Sequence, residues 1–467
     1  MPSALFIHTV SLAVITNVVN KVVTTPYMDE IFHVPQAQRY CYGDYTTWDP
    51  KLTTPPGLYV ISIGLKAIGD IFDYKNLCTL QTLRVTNTLI AFLLYLTIFK
   101  ICTTIHPTIS SQRLSYYALI LSSFPVLFFY YSLYYTDAGS TLFVLLSYLG
   151  VKSNRYFLAG LMGAVAVTFR QTNIIWVFYF MILSIIQLIQ SRTKQKNTSK
   201  TASTLYNPIC NRVHLPSDIF QSIFSFIKYT MINFFYILPR ILTFVLTLIA
   251  FGIFLLWNGS IVLGDKSNHM AGIHIPQLFY FTSFLSFFTA PLYLHWKHGS
   301  DLLRCIYYSN IKRILTLICF LLFMYYAVDF HTYEHPFLLS DNRHYSFYVW
   351  KNIYRRHWSI KYALIPAYAI SIFININILG PNISILWMFG YIMTLILTLV
   401  PSPLLEFRYF ILPLLFYCLH IPPPKNNLRI LITFVFYTAI NSITLYIFLY
   451  HPFLWPQEPN QSQRFMW

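Results

Sequence analysis

Long apolar stretches recur along almost the whole of this chain, and they constrain its fold more than any other feature. Hydrophobic residues make up 56% of the sequence and charged residues only 10%, which is too little polar surface to solvate a globule of 467 residues. A helix satisfies its own backbone hydrogen bonds in lipid. The pattern therefore predicts an all-α polytopic membrane protein.

About 20 apolar residues cross a bilayer core, which predicts roughly 12 to 14 transmembrane helices. The first run lacks a small-residue cleavage site before Tyr27 and is expected to be a retained helix. The segment at 156–189 is too long for one upright helix and carries Arg170 and Gln171 near its middle, so it is expected to tilt, break or dip back. The predicted spans are 4–22, 57–73, 84–103, 114–132, 136–151, 156–189, 230–257, 276–295, 313–330, 360–379, 382–401, 408–421 and 429–450.

Basic residues predict the orientation of these spans. An insertion at about 190–228 has Asp218 as its only acidic residue, and the positive-inside rule therefore makes it cytoplasmic. Its basic residues are Arg192, Lys194, Lys196, Lys200, Arg212 and Lys228. The same side of the predicted topology receives Lys297, Arg304, Lys312, Arg313, Lys425 and Arg429. The opposite side receives the Asp29 loop, the loops at 258–275 and 331–358, and the turn at 406–408.

The net charge of +17 does not indicate nucleic-acid binding, because the cations are dispersed among membrane loops and form no stripe. Contact with anionic lipid headgroups or phosphates is favoured instead. Neither a repeat of 20 to 50 residues nor a linker divides the sequence. It is expected to form a single membrane-embedded domain over 1–467, with the basic cytoplasmic insertion at about 190–228.

One polar loop stands out between the first two apolar segments. It runs from Tyr27 to Tyr59 and concentrates acidic residues in a chain that has 15 of them in all. These are Asp29, Glu30, Asp44 and Asp49. The pair Asp29 and Glu30, at the end of a helix and next to water, can serve as a general base, a cation ligand or a solvated loop cap.

A second polar cluster is HTYEHPFLLSDNRHYSFYVW, residues 331–350. Its aromatic rings can stack on the C–H faces of sugars while its planar polar groups receive hydroxyls, which is typical of a sugar site. The alternative is an interfacial loop that is anchored by aromatic residues. The candidate binding residues are His335, Asp341, Asn342, Arg343 and His344, beside Glu334.

Two further clusters place arginine at or within membrane segments, where a charge is costly without a partner. In LLEFRYFILP, Arg408 could hold a phosphate group with its guanidinium fork or pair with Glu406. In FRQTNIIW, Arg170 and Gln171 could be satisfied by lipid phosphate, substrate or a neighbouring carboxylate.

The cysteines and the absent catalytic motifs argue against several other classes of protein. The seven cysteines are odd in number and include no CxxC, so neither a disulfide framework nor a zinc site is expected. The sequence contains no GxxxxGK[ST], GxGxxG, HExxH or GxSxG, which argues against nucleotide hydrolysis, dinucleotide binding and common hydrolase chemistry.

The same polar blocks carry a resemblance to a known family. YMDEIFHVPQAQRYC, WDPKLTTPPGLY, YYTDAGS, FRQTNIIW, GDKSNH, PQLFYF, DNRHYSFYVWK, LLEFRYFILP and QRFMW resemble signature blocks of the dolichyl-phosphate-glucose α-1,2-glucosyltransferase family. The similarity runs from Tyr27 to Trp467 and is weakest around 194–216.

The resemblance implies a C-type glycosyltransferase fold in the endoplasmic-reticulum membrane, with a lumenal active site. It implies transfer of glucose from dolichyl β-glucosyl phosphate to Glc2Man9GlcNAc2-diphosphodolichol, forming the terminal α-1,2 glucose with inversion. Asp29 and Glu30 match the catalytic carboxylate of the first lumenal loop, and Arg408 is the preferred ligand for the donor phosphate. Which of the two acids is the base stays open.

Physical argument adds to this expectation. A lipid monophosphate is a fair leaving group that cationic side chains can stabilise, so neither a metal nor another cofactor is expected. Asp29 is assigned as base with Glu30 as helper or substitute, Arg408 and Arg343 hold phosphate, and the loop at 333–350 orients sugars. Asp29 and Arg408 are expected to meet in one pocket beyond the bilayer.

Two other classes of function remain as alternatives. A multi-span lipid or solute transporter or flippase would also place Arg and Gln within the membrane, although the two similar halves with broken helices expected of a transporter are not visible. A non-catalytic assembly subunit is the second alternative, and it would tolerate loss of both Asp29 and Glu30.

Overall fold

The computed structural model describes residues 2–74, 77–196, 204–213, 216–266 and 271–467, which are predominantly helical. They form two compact units. The first consists of Met1–Pro208, Val213–Met270 and Ile385–Gly390, and the second of Ile209–Arg212, Ala271–Ser384 and Tyr391–Trp467. The single domain over 1–467 stays a prediction.

The helices of the first unit follow one another with short connections. They are α1 (Pro2–Val22), α2 (Glu30–Cys41), α3 (Gly57–Ile71), α4 (Leu80–Ile105), α5 (Ser111–Ser122), α6 (Pro125–Phe129), α7 (Thr136–Lys152), α8 (Tyr156–Phe169), α9 (Asn173–Lys196), α10 (Pro216–Ile232) and α11 (Phe234–Asn258). A further helix, α19 (Ile385–Leu399), contributes its first residues to this unit.

The second unit combines long helices with a short antiparallel hairpin. Its helices are α12 (Gln277–Tyr293), α13 (Trp296–Tyr307), α14 (Ile311–Phe330), α15 (Pro336–Ser340), α16 (Tyr345–Val349), α17 (Ile360–Ala363), α18 (Ile365–Leu379), the remainder of α19, α20 (Ile411–Leu419) and α21 (Asn427–Tyr450). The hairpin pairs β1 (Phe453–Trp455) with β2 (Glu458–Gln463).

Within the described ranges, seven helices are long and apolar enough to cross a membrane, which confirms the predicted all-α polytopic class. They are α1, α4, α9, α11, α14, the α17–α18 segment and α21. A further pair, Ser111–Ser122 and Pro125–Ser132, is bent by 69°, and three apolar helices are shorter. The count of roughly 12 to 14 crossings stays a prediction.

The predicted span at 57–73 is wrong. Cys41 at the end of α2 forms a disulfide bond with Cys78 just before α4, with 6.5 Å between their Cα atoms. The segment between them therefore begins and ends at one place, and a single helix of 15 residues cannot cross the membrane and return. A return by non-helical residues would leave backbone groups unsatisfied in lipid. We assign α3 to the membrane surface.

The long predicted segment at 156–189 breaks into α8 and α9. Arg170 has extended backbone just after the last residue of α8, so the hydrogen-bond ladder of α8 ends there and α9 begins separately at Asn173. Arg170 lies 2.9 Å from Asp137 in the first turn of α7, which brings the start of α7 and the end of α8 together. Counting α8 and α9 as two crossings and α3 as none would leave the predicted orientation of the basic insertion unchanged.

The disulfide also corrects the expectation drawn from the cysteines. Cys41 and Cys78 are bonded, whereas Cys102, Cys210, Cys305, Cys319 and Cys418 are free thiols. An odd total and the lack of CxxC hid the pair, because 37 residues separate its members. Parts of the predicted basic insertion, including Lys200, lie outside the described residues, and so does the end of GDKSNH.

Candidate active site

The acidic pair of the first loop lies at the start of α2, a few residues after the end of α1. Met28 has a positive φ of 56°, a conformation that a long side chain rarely adopts. It turns the chain so that Asp29 precedes the helix and Glu30 is its first residue. Carboxylates at this position are favoured by the partial positive charge of a helix N-terminus.

Glu30 is fully buried and bound through both carboxylate oxygens. Arg84 of α4 donates from Nε to Oε1 at 2.9 Å and from Nη2 to Oε2 at 2.6 Å. The backbone N–H of Tyr134 donates to Oε1 at 2.7 Å, and that of Tyr27 donates to Oε2 at 3.2 Å. The Glu30 side chain is thus a structural anchor that joins three segments.

Arg84 completes this anchor. It is itself fully buried and donates to the backbone oxygens of Val23 at 2.6 Å and Thr25 at 3.4 Å, beyond the end of α1. Sequence reasoning missed Arg84, although a charged residue at the edge of the predicted span 84–103 was a usable signal. The two side chains thus connect the start of α2, the residues after α1 and the start of α4.

Asp29 lies in a different environment from Glu30. It is half-buried, and its backbone N–H donates to the Tyr135 hydroxyl at 3.0 Å. His33 follows one turn later on the same face of α2, and its Nδ1 lies 2.7 Å from the Tyr59 hydroxyl. The His33 ring centroid lies 6.3 Å from that of Tyr135. Asp29 therefore lies at the edge of a cluster of polar aromatic groups.

The rest of the first loop folds back onto α2. Gln36 donates to the Thr47 oxygen at 2.7 Å and accepts from the Asp49 N–H at 3.0 Å. Asp44 is half-buried and accepts from Thr47 and Thr46, and these hydrogen bonds lower the pKa of its carboxyl below the ordinary value. Asp44 and Asp49 thus stabilise turns.

A segment that is distant in sequence, residues 263–265, forms hydrogen bonds with the same loop. The N–H groups of Leu263 and Asp265 donate to the oxygens of Thr53 and Pro50 at 3.1 and 2.7 Å. Gly264 between them has a φ of +62°, and a Cβ there would lie 2.3 Å from the Pro50 oxygen. Only glycine fits this approach. We call the end of the first unit that carries Asp29, Tyr135, Arg170 and Gly264 the Asp29 face.

Arg170 and Gln171 also belong to the Asp29 face. Arg170 pairs with Asp137, so a neighbouring carboxylate supplies the partner that the sequence left open. Gln171 is buried and donates to the Thr53 oxygen at 2.6 Å. Both residues hold protein segments together, and a direct contact of either with substrate stays a prediction.

In the second unit, the predicted sugar loop joins the C-terminal segment. Arg343 donates to Asp341 from Nε at 2.8 Å and Nη2 at 2.7 Å, and from Nη1 to Gln463 at 2.6 Å. Its guanidinium carbon lies 4.4 Å from the centre of the Trp455 ring. His344 Nδ1 lies 2.5 Å from the Trp467 backbone oxygen. The sequence blocks DNRHY and QRFMW thus form one structure.

The neighbours of Arg343 have equally defined contacts. Asn342 accepts from the Trp455 indole N–H at 2.9 Å, and His335 caps α15 by accepting from the Phe337 N–H at 3.1 Å. Burial disfavours the charged form of Asp341, but hydrogen bonds from His344 and Arg343 hold the pKa of its carboxyl well below its ordinary value.

The turn that carries Arg408 lies elsewhere in the second unit. Arg408 forms an ion pair with Glu406, and both side chains are largely buried. Gln277 of α12 donates to the backbone oxygens of Leu404 at 2.9 Å and Ser402 at 3.2 Å, which holds the preceding segment. The expected meeting of Asp29 and Arg408 joins residues of the two units and stays a prediction.

Among the residues that the structure describes, no three His, Cys, Asp or Glu side chains cluster as metal ligands. Four acidic side chains, those of Glu30, Asp137, Asp341 and Glu406, are instead each paired with an arginine. The expected independence of a metal or other cofactor stays a prediction.

These features define a multi-span membrane protein with an acidic, arginine-braced first loop. The chain belongs to the DIE2/ALG10 family, which it matches over residues 23–419. No solved structure matches it.

Curated relatives extend the similarity to nearly the whole chain. A protein of Arabidopsis thaliana is 34% identical, covering 96% of this chain and 96% of its own length. Proteins of Mus musculus and Homo sapiens are each 38% identical, covering 95% of this chain and 93% of their own lengths. All three relatives are named Dol-P-Glc:Glc(2)Man(9)GlcNAc(2)-PP-Dol alpha-1,2-glucosyltransferase.

Proposed function

We propose that this protein transfers glucose from dolichyl β-glucosyl phosphate to Glc2Man9GlcNAc2-diphosphodolichol in N-glycan precursor assembly. The reaction forms the terminal α-1,2 glucose with inversion. The observation that carries this proposal is similarity over nearly the full length to relatives named for this transfer. Membership of the DIE2/ALG10 family supports the same reaction.

We assign the base to Asp29. Each oxygen of Glu30 already accepts two hydrogen bonds from Arg84 and backbone N–H groups, so neither oxygen is open to the hydroxyl of an acceptor sugar. Asp29 is half-buried, and the Glu30–Arg84 pair fixes the backbone beside it. Glu30 is then a positioning residue, which replaces its expected role as helper or substitute.

The proposed step is a direct displacement. The Asp29 carboxylate takes the proton of the acceptor 2-hydroxyl, and that oxygen forms a bond to C1 of the donor glucose. The bond from C1 to the phosphate oxygen breaks on the opposite face, so the β-linked glucose becomes α-linked. Dolichyl phosphate leaves. Arg408 is proposed as the phosphate ligand, because the planar fork of a guanidinium matches the oxygens of a phosphate group.

Two observations support a lumenal Asp29 face in the endoplasmic reticulum. Cys41 of the Cys41–Cys78 disulfide belongs to the same loop as Asp29, and disulfides persist in oxidising compartments. The basic insertion follows α9 at the opposite end, where the positive-inside rule favours the cytoplasm. Both observations concern the first unit.

The test uses purified full-length protein with dolichyl-phosphate-glucose and a defined diglucosylated lipid acceptor. Asp29→Asn should lower the transfer rate by about 10²–10⁴-fold, the range typical of a lost general base. Asp44→Asn is the matched control, because it makes the same change at another half-buried aspartate of the loop and should leave the rate within about twofold. No transfer by the unmodified protein would refute the proposed function, whereas an active Asp29→Asn variant would refute only the base assignment.

A parallel assay with EDTA tests metal independence. Activity should persist in the chelator, because a lipid monophosphate leaving group can be stabilised by cationic side chains. Loss of activity that Mn²⁺ or Mg²⁺ restores would show that the reaction needs a divalent cation.

A further inference from the structure

Two arginines share one aromatic ring at the end of the first unit opposite the Asp29 face. The guanidinium carbon of Arg240 lies 3.8 Å from the centre of the Tyr236 ring, and that of Arg192 lies 4.6 Å from it. Arg192 belongs to the last turns of α9, whereas Tyr236 and Arg240 belong to the first turns of α11. The two cations are therefore held close together by different helices.

Few of the hydrogen-bond donors of Arg192 and Arg240 are bound to protein acceptors. Arg240 donates from Nη1 to the Tyr236 backbone oxygen at 2.7 Å, a contact within its own helix. In the described part of the chain, no carboxylate lies within ion-pair distance of Arg192 or Arg240. Two like charges near a membrane are costly without an anion between or beside them.

The position of Arg240 indicates what kind of anion is at hand. It lies six residues beyond the start of α11, at a depth of roughly 9 Å along the helix axis. Its neighbours Leu242 and Leu246 are exposed and apolar, as expected for a surface that meets lipid. A guanidinium at this depth is within reach of lipid phosphate groups, whose oxygens match its planar fork.

Helix α10 provides an apolar surface directly before this site. Phe220, Phe224, Ile227 and Met231 are exposed and recur at spacings of three and four residues, so they form one stripe. Ser222 on another face is buried. At 17 residues, α10 fits a helix that lies in the membrane surface with its apolar stripe in the acyl region.

We propose that Arg192, Tyr236 and Arg240 bind the phosphate of an anionic phospholipid at the face that carries the basic insertion. The acyl chains would lie against the apolar stripe of α10, with Phe235, which is 90% exposed, at the junction. This site is separate from the residues assigned to glucosyl transfer and does not depend on that proposal.

The experiment measures lipid binding by the purified, delipidated full-length protein. Phosphatidylinositol or phosphatidylcholine is titrated in detergent, and bound lipid is counted by native mass spectrometry. The unmodified protein should bind phosphatidylinositol at least about tenfold more tightly than phosphatidylcholine. The double variant Arg192→Gln with Arg240→Gln should lose this preference. The control Lys100→Gln with Arg155→Gln removes the same charge from exposed residues at the same end and should keep it.

Three results would overturn the proposal. One is equal affinity of the unmodified protein for the two lipids, which needs no variant and so is independent of folding defects. Another is an unchanged preference in a folded Arg192→Gln, Arg240→Gln protein. The third is displacement of phosphatidylinositol by inorganic phosphate alone, which would indicate a site for free phosphate.

Discussion

The Glu30–Arg84 pair in the first unit and the Asp341–Arg343 pair in the second use the same chemistry at different degrees of burial. The first pair is fully buried and joins residues 54 positions apart. The second is 20% and 16% exposed and joins residues two positions apart. Burial thus makes the first pair obligatory for the loop that carries Asp29, whereas the second is a local turn whose arginine also reaches the C-terminal segment.

The strongest test of this contrast is removal of Arg84. Arg84→Met should lower the free energy of unfolding by about 3–5 kcal/mol, because it leaves the Glu30 carboxylate buried without its counter-ion. Thermal unfolding in detergent measures the loss. Adding Glu30→Leu to Arg84→Met should restore part of the stability by removing that charge. An Arg84→Met protein as stable as the unmodified one would contradict the structural role of the pair.

The disulfide tests whether the ion pair alone holds the first loop. Cys41→Ser with Cys78→Ser should cost about 2–4 kcal/mol, since the bond closes a loop of this length in the unfolded chain. The melting temperature should fall while Glu30 and Arg84 stay paired. Cys102→Ser is the control for loss of a thiol that is not bonded. Equal melting temperatures for the double variant and the control would mean that the disulfide contributes nothing.

Gly264 tests the brace on the outside of the same loop. Gly264→Ala should destabilise by roughly 1–3 kcal/mol, because the new methyl group needs space beside the Pro50 oxygen and the backbone is left-handed. Transfer rate and melting temperature are measured together. Gly299→Ala, in an open position of α13, is the control and should lower neither. Unaltered stability in Gly264→Ala would show that the 263–265 contact is dispensable.

The smallest effect is expected in the second unit. Arg343→Met should lower stability by about 1–2 kcal/mol, because its partner Asp341 is partly exposed and water can replace some of the lost interaction. Limited proteolysis should cleave the 453–467 segment sooner, since Gln463 and Trp455 lose their contact. Arg356→Met removes an exposed arginine nearby as the control. A cost equal to that of Arg84→Met would show that burial does not separate the two pairs.

The polar loops predicted from sequence are the ones that the structure fixes by specific contacts, but their contacts could not be predicted. Arg170 was expected to need a partner, and Asp137 provides it from a helix that lies earlier in the chain. DNRHY and QRFMW were separate motifs in the sequence and are joined by Arg343 and Gln463, 120 positions apart. Such pairings depend on how helices pack, which hydropathy does not report.

The membrane class follows from the sequence alone, because the solvation of apolar and polar residues depends on composition and local spacing. The sequence alone also shows that acidic residues are concentrated in the first loop. The tertiary structure decided that α3 does not cross, through the bond between Cys41 and Cys78. It also separated Asp29 from Glu30, adjacent residues of the same chemical type. Arg84 approaches from a different helix and pairs with Glu30, which is buried, whereas Asp29 beside it stays half-exposed. Long-range packing of this kind cannot be read from either position alone.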